Sequence, residues 1–504
     1  MKNRYTTSEQ FCQDLLNIDI KDAKALVGII MALGSEREAD SPTALSESPF
    51  FQYHYSIISK VMKQMGLQCN GAESLEFRSG LRQLVMAYAP RQDTHKFSSD
   101  LTTIRKGDSP KLAERGFVQI PNNRIYDNKP IDVGYYVSYV NLGLYDWAHP
   151  LAWSLPLDCQ RVGVDEDKMG VAVRQLSELL EDPALPFGTS AKVVNAADSG
   201  YALAKYVCPL INSFDNLLLL VRLRYGIKVY KPYQGEQSPR GRNKDYDHRP
   251  LYLQTENRRR CFNPKTKTYF VKEQSPIFDQ PPDQQDTYQS VTARGRLIIV
   301  ELYRWNDLLM RGSREHYMGD KPFDLIGVRF VDKETGQLLF KREMFIALWG
   351  KQRREYSLKE AQLDYRHRYD IEPHNRFAKQ ALLADKYQTP DVSHLDGWLW
   401  TVLLTFWLLY AACKETKVVV KPWEKYLSIV RQMQNSENPM SPTMTRRGTK
   451  ALFSTFDLKP YKPQESKNGV GRKKGDRQTT RINHPPRRKN VNTAKNEPLF
   501  EDSS

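Results

Sequence analysis

Cysteine is scarce and scattered. The 504-residue chain has six, at Cys12, Cys69, Cys159, Cys208, Cys261 and Cys413, and no two stand at C-x-x-C spacing. That pattern speaks against a zinc ribbon or a disulfide scaffold and suits a reducing cytoplasm. An apolar leader is also lacking: the N-terminus is charged from its second residue, so no signal peptide is expected. Long hydrophobic runs are reduced to one, Gly397 to Cys413, 17 residues without a charge. It lies close to the lower length limit for a membrane span, follows a long amphipathic stretch and has no second span beside it. A buried core helix is therefore expected, with a membrane-anchored protein as the alternative.

Acidic residues are in deficit, 59 against 75 Lys and Arg, for a net charge of +16. A field of that sign favours anionic partners, nucleic acid first among them, although basic solubility tails also exist. Met440 to Ser504 holds 15 Lys/Arg against 6 Asp/Glu, so about +9 of the charge lies in this tail. The rest is spread over a body with runs such as Arg258-Arg259-Arg260 and Lys351-Gln352-Arg353-Arg354, which serve as solvated faces as readily as binding sites. Tyrosine is plentiful, at 27.

Residues 1–90 read mainly as helices, with Ser8 as the expected N-cap of EQFCQDLLNI and a second helix in DAKALVGIIMALG. From Lys96 the pattern changes. KFSSDLTTI, VGYYVSYVNL and LAWSLPL are three successive strands by their β-branched and aromatic content. A helix over Glu166–Leu180, a strand AKVVNAAD ending at Asp198, a short helix from Tyr201 and the strand NLLLLVRL follow. The order β-β-β-α-β-α-β predicts an α/β fold with a mixed sheet, which is also the order of a ribonuclease H-like core. With the first and fourth strands side by side, Asp100 and Asp198 would face one crevice near the strand ends.

The division expected from these shifts is a helical N-terminal region at 1–90, a first part of the catalytic core at 91–223, a β-rich insertion at 224–346, a second part of the core at 347–438, and a basic, disordered tail at 439–504. The insertion carries RLIIVELYRW, FDLIGVRFVD and QLLFKREMFIAL, with a hairpin connection at the ETG that follows Lys333. Ser357 and Glu360 form a capping box that reopens helical sequence.

The most specific run is YRHRYDIEPHNRFAKQ. Tyr365, Arg368, Glu372 and Lys379 stand at successive offsets of three, four and seven, which place them on roughly one face of a helix. A hydroxyl, a guanidinium, a carboxylate and an ammonium on one face suit a divalent metal and phosphate oxygens. The same residues suit an exposed helix in which Arg368 and Glu372 are an i,i+4 ion pair. Pro373 tends to break the helix beside Glu372, which weakens the one-face argument. Asp93 and Asp108 are rivals to Asp100, and Asp198 also suits a helix N-cap, a role compatible with metal binding.

The spacing Y-(2)-R-(3)-E-(6)-K resembles the signature of bacterial insertion-sequence transposases of the DDE type. KFSSDLTTIRKGDSPKLAERGFVQIPN, VVNAADSGY, KQALLADKYQTPDV and GRKKGDRQTTR are similar to that group in the same order, so the resemblance spans about residues 40–490. It implies that Asp100, Asp198 and Glu372 are the metal-binding and catalytic carboxylates, holding two Mg²⁺ ions for which Mn²⁺ may substitute. Tyr365, Arg368 and Lys379 would contact the DNA backbone near the cleaved end. Trp305 in the insertion would stabilise a flipped base during hairpin formation, unless it is a core tryptophan. The resemblance further implies cut-and-paste transposition: hydrolysis and strand transfer on double-stranded DNA carrying terminal inverted repeats, then on target DNA. It also implies a homodimer in the active complex and a cytoplasmic, nucleoid-associated location. A catalytically idle DNA-binding descendant and a stand-alone nuclease on the same core are the other readings.

Overall fold

A computed structural model of the chain describes residues 6–70, 74–120, 130–144, 153–189, 191–237, 243–253, 258–263, 266–292, 295–417, 419–424, 440–458 and 480–488. In chain order the helices are α1 (Thr7–Leu15), α2 (Ala23–Ser35), α3 (Ser56–Asn70), α4 (Ser74–Met86), α5 (Lys168–Glu181), α6 (Ala204–Ser213), α7 (Leu358–His367), α8 (Ile371–Gln380), α9 (Val392–Ala412) and α10 (Pro442–Phe453). The longer strands are β1 (Thr94–Arg105), β2 (Gly116–Gln119), β3 (Ile131–Leu144), β4 (Trp153–Val162), β5 (Lys192–Ala197), β6 (Leu217–Leu223), then, from the stretch after Arg224, β7 (Gln284–Val291), β8 (Leu297–Leu308), β9 (Phe323–Asp332) and β10 (Met344–Trp349). The protein is therefore α/β with a mixed sheet. Backbone packing divides it into two units. One comprises Met1–Pro90, Leu101–Val171 and Asp370–Ser504; the other comprises Arg91–Asp100 and Ala172–Tyr369.

In the second unit the strand order is β7-β8-β9-β10-β6-β5-β1. β1, β5 and β6 run parallel, and β10 to β7 continue from β6 as antiparallel neighbours. The parallel strands read as continuous apolar runs, LLLLVRL and KVVNAA, because both faces of such strands are covered. On one face, Val194, Ala196, Leu218, Leu220 and Ile346 pack with Leu358, Ala361 and Tyr365 of α7. The capping box holds: the Ser357 hydroxyl accepts the Glu360 N–H while the Glu360 carboxylate accepts the Ser357 N–H. The ETG turn is built on Asp332, whose Oδ1 accepts the N–H groups of Glu334 and Thr335, with Gly336 in the left-handed region at φ 67°. QLLFK is not strand. Its backbone meets β9 through the Asp332 N–H to the Gln337 carbonyl, the Val331–Leu338 bridge and the Leu339 N–H to the Phe330 carbonyl, without a continuous ladder, and β10 starts at Met344.

In the first unit the Leu101–Arg105 half of β1 lies beside β3, which pairs antiparallel with both β2 and β4. Here the charge-free run is the middle of α9. By length and composition α9 could cross a membrane, but it is sheathed by α1, α2, α3, α10 and β4 and is 94% buried over its most apolar window. Two of its three indoles are satisfied internally: Trp398 donates to the Leu383 carbonyl at 2.9 Å and Trp407 to the Pro156 carbonyl at 2.7 Å. The cap of α1 is Thr6, not Ser8; Thr6 accepts the Glu9 N–H, while Ser8 sits inside the helix and bonds the Glu415 carboxylate. The tail is not wholly without structure. α10 is capped by Ser441, and residues 480–488 lie along β2, where the Arg487 N–H donates to the Arg115 carbonyl at 2.7 Å. GRKKGDRQTTR lies mostly outside the described residues.

His374 of α8 is buried between the rings of Tyr139 and Phe406, and burial lowers its pKa to about 3 from the usual 6.5. A histidine held neutral in the fold but free to protonate when unfolded stabilises the protein fully above pH 6.5 and loses that contribution as pH falls towards 3. Urea melts at pH 7 and pH 4 are therefore expected to show the native chain losing roughly 3 kcal/mol more than His374→Phe. Parallel losses in the two proteins would mean another group carries the acid sensitivity.

Candidate functional site

The register of β1 on β5 places Ser98 beside Ala196 and Ser99 beside Ala197. One step further come Asp100 and Asp198, neighbours across two parallel strands spaced about 4.8 Å apart. Alternation puts them on the same face as Lys96, Val194 and Ala196, the face covered by α7. There Lys96 donates to Asp364 of α7 at 2.7 Å, and Tyr365 packs on Val194 and Ala196. Asp198 thus stands just past the carboxyl end of β5, and Asp100, midway along β1, lies level with it where the parallel pairing of the two strands stops; open sheets leave room for ligands at such ends. The opposite face is tied by a buried chain: Ser99 Oγ donates to Asn195 Oδ1 at 2.9 Å, and Asn195 Nδ2 donates to the Tyr206 hydroxyl at 2.9 Å.

Asp198 begins a tight turn. Its Oδ1 accepts the Gly200 N–H at 2.7 Å and its carbonyl accepts the Tyr201 N–H at 3.1 Å. Tyr201 is buried against Tyr206, ring centroids 4.9 Å apart. Its phenol is pushed well above the usual range, first by burial, then by the charges of Asp100, Tyr206 and Asp198, with Arg368 opposing. That set gathers Asp100, Asp198, Tyr201 and Arg368 in one neighbourhood of the second unit.

The end of α7, the turn after it and the end of β6 supply the cationic side. Tyr365 is fully buried, and its phenol is raised by burial, partly offset by Arg368 and Arg222. The Arg368 guanidinium, also buried, lies 4.3 Å from the Tyr369 ring centroid. Arg222, the one charged residue of β6, donates to the Tyr369 hydroxyl at 3.3 Å, and Arg224 reaches Ser199 beside Asp198 at 3.4 Å. Sequence reading missed Tyr201, Arg222 and Arg224. A lone charge inside the run LLLLVRL was the available signal for Arg222. Between Arg222, Tyr369, Tyr288, Phe330, Arg342 and Arg366 the second unit opens an apolar groove of about 530 Å³ rimmed by arginine.

Glu372 and Lys379 belong to the first unit. α7 ends at His367, a single 3-10 turn spans Arg368–Asp370, and α8 begins at Ile371. Glu372 is exposed in the first turn of α8, and Pro373 follows where its missing N–H costs nothing. The four signature residues therefore straddle a break and do not share one continuous helix face. Lys379 donates to Thr102 Oγ1 of β1 at 2.6 Å.

Trp305 is a core tryptophan in this fold. It is 3% exposed, donates from Nε1 to the Gln280 carbonyl at 3.0 Å, and packs on Phe278, Tyr303 and the bare backbone of Gly327. With its polar edge and faces occupied, it presents no surface to a base.

The donor chemistry of the acidic pair fits a hard divalent cation. Mg²⁺ binds oxygen only, keeps several waters, and is commonly held by one or two carboxylates plus substrate phosphates. No group of three His, Cys, Asp or Glu side chains able to hold a metal ion occurs among the described residues. A site completed by phosphate does not require one. No protein-family model matches the chain, and no curated protein matches it.

Proposed function

We propose that the chain is a DDE-type DNA transposase on a ribonuclease H-like core, with Asp100, Asp198 and Glu372 as its metal-binding carboxylates. One observation carries the reading: two aspartates one step beyond the last paired residues of adjacent parallel strands, on the face that α7 covers with Tyr365 and that Arg368, in the turn after α7, adjoins. The strand order supports it, since β1, the first of three successive long strands, is also the parallel neighbour of β5. The net charge of +16 suits a DNA substrate.

Asp100 and Asp198 would hold Mg²⁺ or Mn²⁺ through carboxylate oxygens, and the resemblance adds Glu372 as the third ligand. When bound, such ions would supply charge stabilisation to the attacking and leaving oxygens of an in-line displacement. Arg368, always charged and planar, fits phosphate oxygens bidentately, and Arg222 and Arg224 extend the cationic fringe along the end of β6. The Gly200 N–H fixes the Asp198 carboxylate in one orientation before any ligand arrives, which lowers the ordering cost of binding. Water adds to the phosphorus at the DNA end as the P–O3′ bond breaks, leaving a 3′-hydroxyl and a 5′-phosphate; that hydroxyl then bonds to a target phosphorus, loses its proton, and displaces the target's 3′-oxygen as a hydroxyl. Holding two DNA ends together calls for at least two copies of the chain.

The test is cleavage of a labelled duplex made from the ends of the DNA segment encoding the chain, with Mg²⁺ or Mn²⁺, comparing the native protein with Glu372→Gln. Metal-dependent cutting that disappears in the variant, with DNA binding retained, is the expected result. Binding by both proteins with cutting by neither, under any divalent ion, leaves the idle DNA-binding descendant. Cutting without joining of the 3′-hydroxyl to a target leaves the stand-alone nuclease.

A further inference from the structure

A phenylalanine would do everything that the fold asks of the Tyr201 ring. The ring is 1% exposed and packs edge-on against Tyr206, and the backbone N–H closes the Asp198 turn. The hydroxyl, however, is buried with no hydrogen-bond partner among the described residues. An unmatched buried hydroxyl weakens the fold, so its presence asks for a compensating role. Its polar surroundings narrow that role. Arg368 has donors only, and the Tyr206 hydroxyl is already engaged by Asn195. What remains within electrostatic reach is the carboxylate pair Asp100 and Asp198, which can accept.

We infer that Tyr201 is a positioning residue of the acidic pair, its hydroxyl donating to a carboxylate oxygen once the pair holds a divalent cation. This rests on the pair being the metal site. Two like charges on adjacent strands repel, and a donor fixed beside them favours the arrangement in which both oxygens face one ion. Groups that orient metal-binding carboxylates typically change metal affinity tenfold or more when removed.

The experiment compares the full-length native chain, Tyr201→Phe and Asp198→Asn by thermal melting, first without metal and then across a Mn²⁺ titration. Native protein is expected to show a Mn²⁺-dependent rise in Tm that Asp198→Asn lacks. Tyr201→Phe is expected to melt no lower than native without metal, yet to need about tenfold more Mn²⁺ for half the rise. A titration superimposable on native overturns the role of Tyr201 while leaving the metal site standing. A large drop in metal-free Tm also overturns it, because the hydroxyl then serves the fold. If Mn²⁺ raises native and Asp198→Asn alike, the metal reading of the pair fails, and the inference with it.

Discussion

Asp198→Asn is expected to lower metal-dependent DNA cleavage about a thousandfold, roughly 4 kcal/mol of transition-state stabilisation, with DNA binding and folding preserved. The separation of effects follows from the turn. Asn keeps the Oδ1 that accepts the Gly200 N–H, so the loop stays closed, and the backbone bond to Tyr201 is untouched. What is lost is one negative charge at the end of β5 and one strong ligand for a hard cation. Removing it also relieves repulsion with Asp100, so the melting temperature should not fall. The DNA contacts proposed for Arg368, Arg222 and Arg224 would remain, so affinity in a filter-binding or anisotropy assay should match the native chain. Cleavage within tenfold of native would mean that Asp198 is a turn residue and that the chemistry lies elsewhere.

The largest expected loss of stability comes from Gly66→Ala, a single methyl group. α3 and α9 cross at Gly66 and Gly397, and an added Cβ on Gly66 would fall inside the Ser393 carbonyl. One on Gly397 would strike the Met62 carbonyl and the Gly66 N–H in turn. The clash is with backbone on both sides, so no rotamer change relieves it; the helices must part, and every apolar contact along the crossing loosens. A cost above about 4 kcal/mol is expected, seen as insoluble protein or a collapsed melting temperature. Gly80→Ala is the matched control. It lies in α4 with nothing within 4 Å of an added methyl, so the better helix former should raise stability by about 0.5–1 kcal/mol. If both variants melt within a few degrees of native, the close crossing is not what holds α9.

The strands that carry the two aspartates were legible because their signal is local. KFSSDLTTI and AKVVNAAD are β-rich runs bounded by polar sequence, and β1 and β5 fall on them. Their adjacency, parallel and in register, depends on residues 98 positions apart and is visible only in the fold. Tyr365 and Arg368 were legible as a motif, but not their burial: polar residue types suggested an exposed face, whereas α7 packs Tyr365 on Val194 and Ala196. Pro373 did signal the break before α8. Errors came where one residue type serves two ends. Ser8 and Thr6 are both good caps, and the demand of Glu415 on Ser8 left Thr6 to close the helix. Phe340, 56% exposed in a run that looks like strand, and Trp305, 3% exposed in an insertion thought to meet DNA, show the same limit. An aromatic side chain favours strands, cores and bases alike, and only its neighbours decide among them.

The sheath around α9 has a consequence for how the chain is made. α2 is buried along nearly its whole length, and much of what covers it is α9, with α10 on the other side. Some 360 residues separate Ser35 from Val392, so synthesis at about 5–20 residues per second leaves the face of α2 that α9 covers open for roughly 20–70 s, although α1 and α3 are already at hand for its other faces. During that interval the open apolar face is available to chaperones, proteases and neighbouring nascent chains. Ribosomes that stop short of Val392 release a product that cannot bury it at all. The yield of folded protein is then expected to depend on how many ribosomes read through to α9.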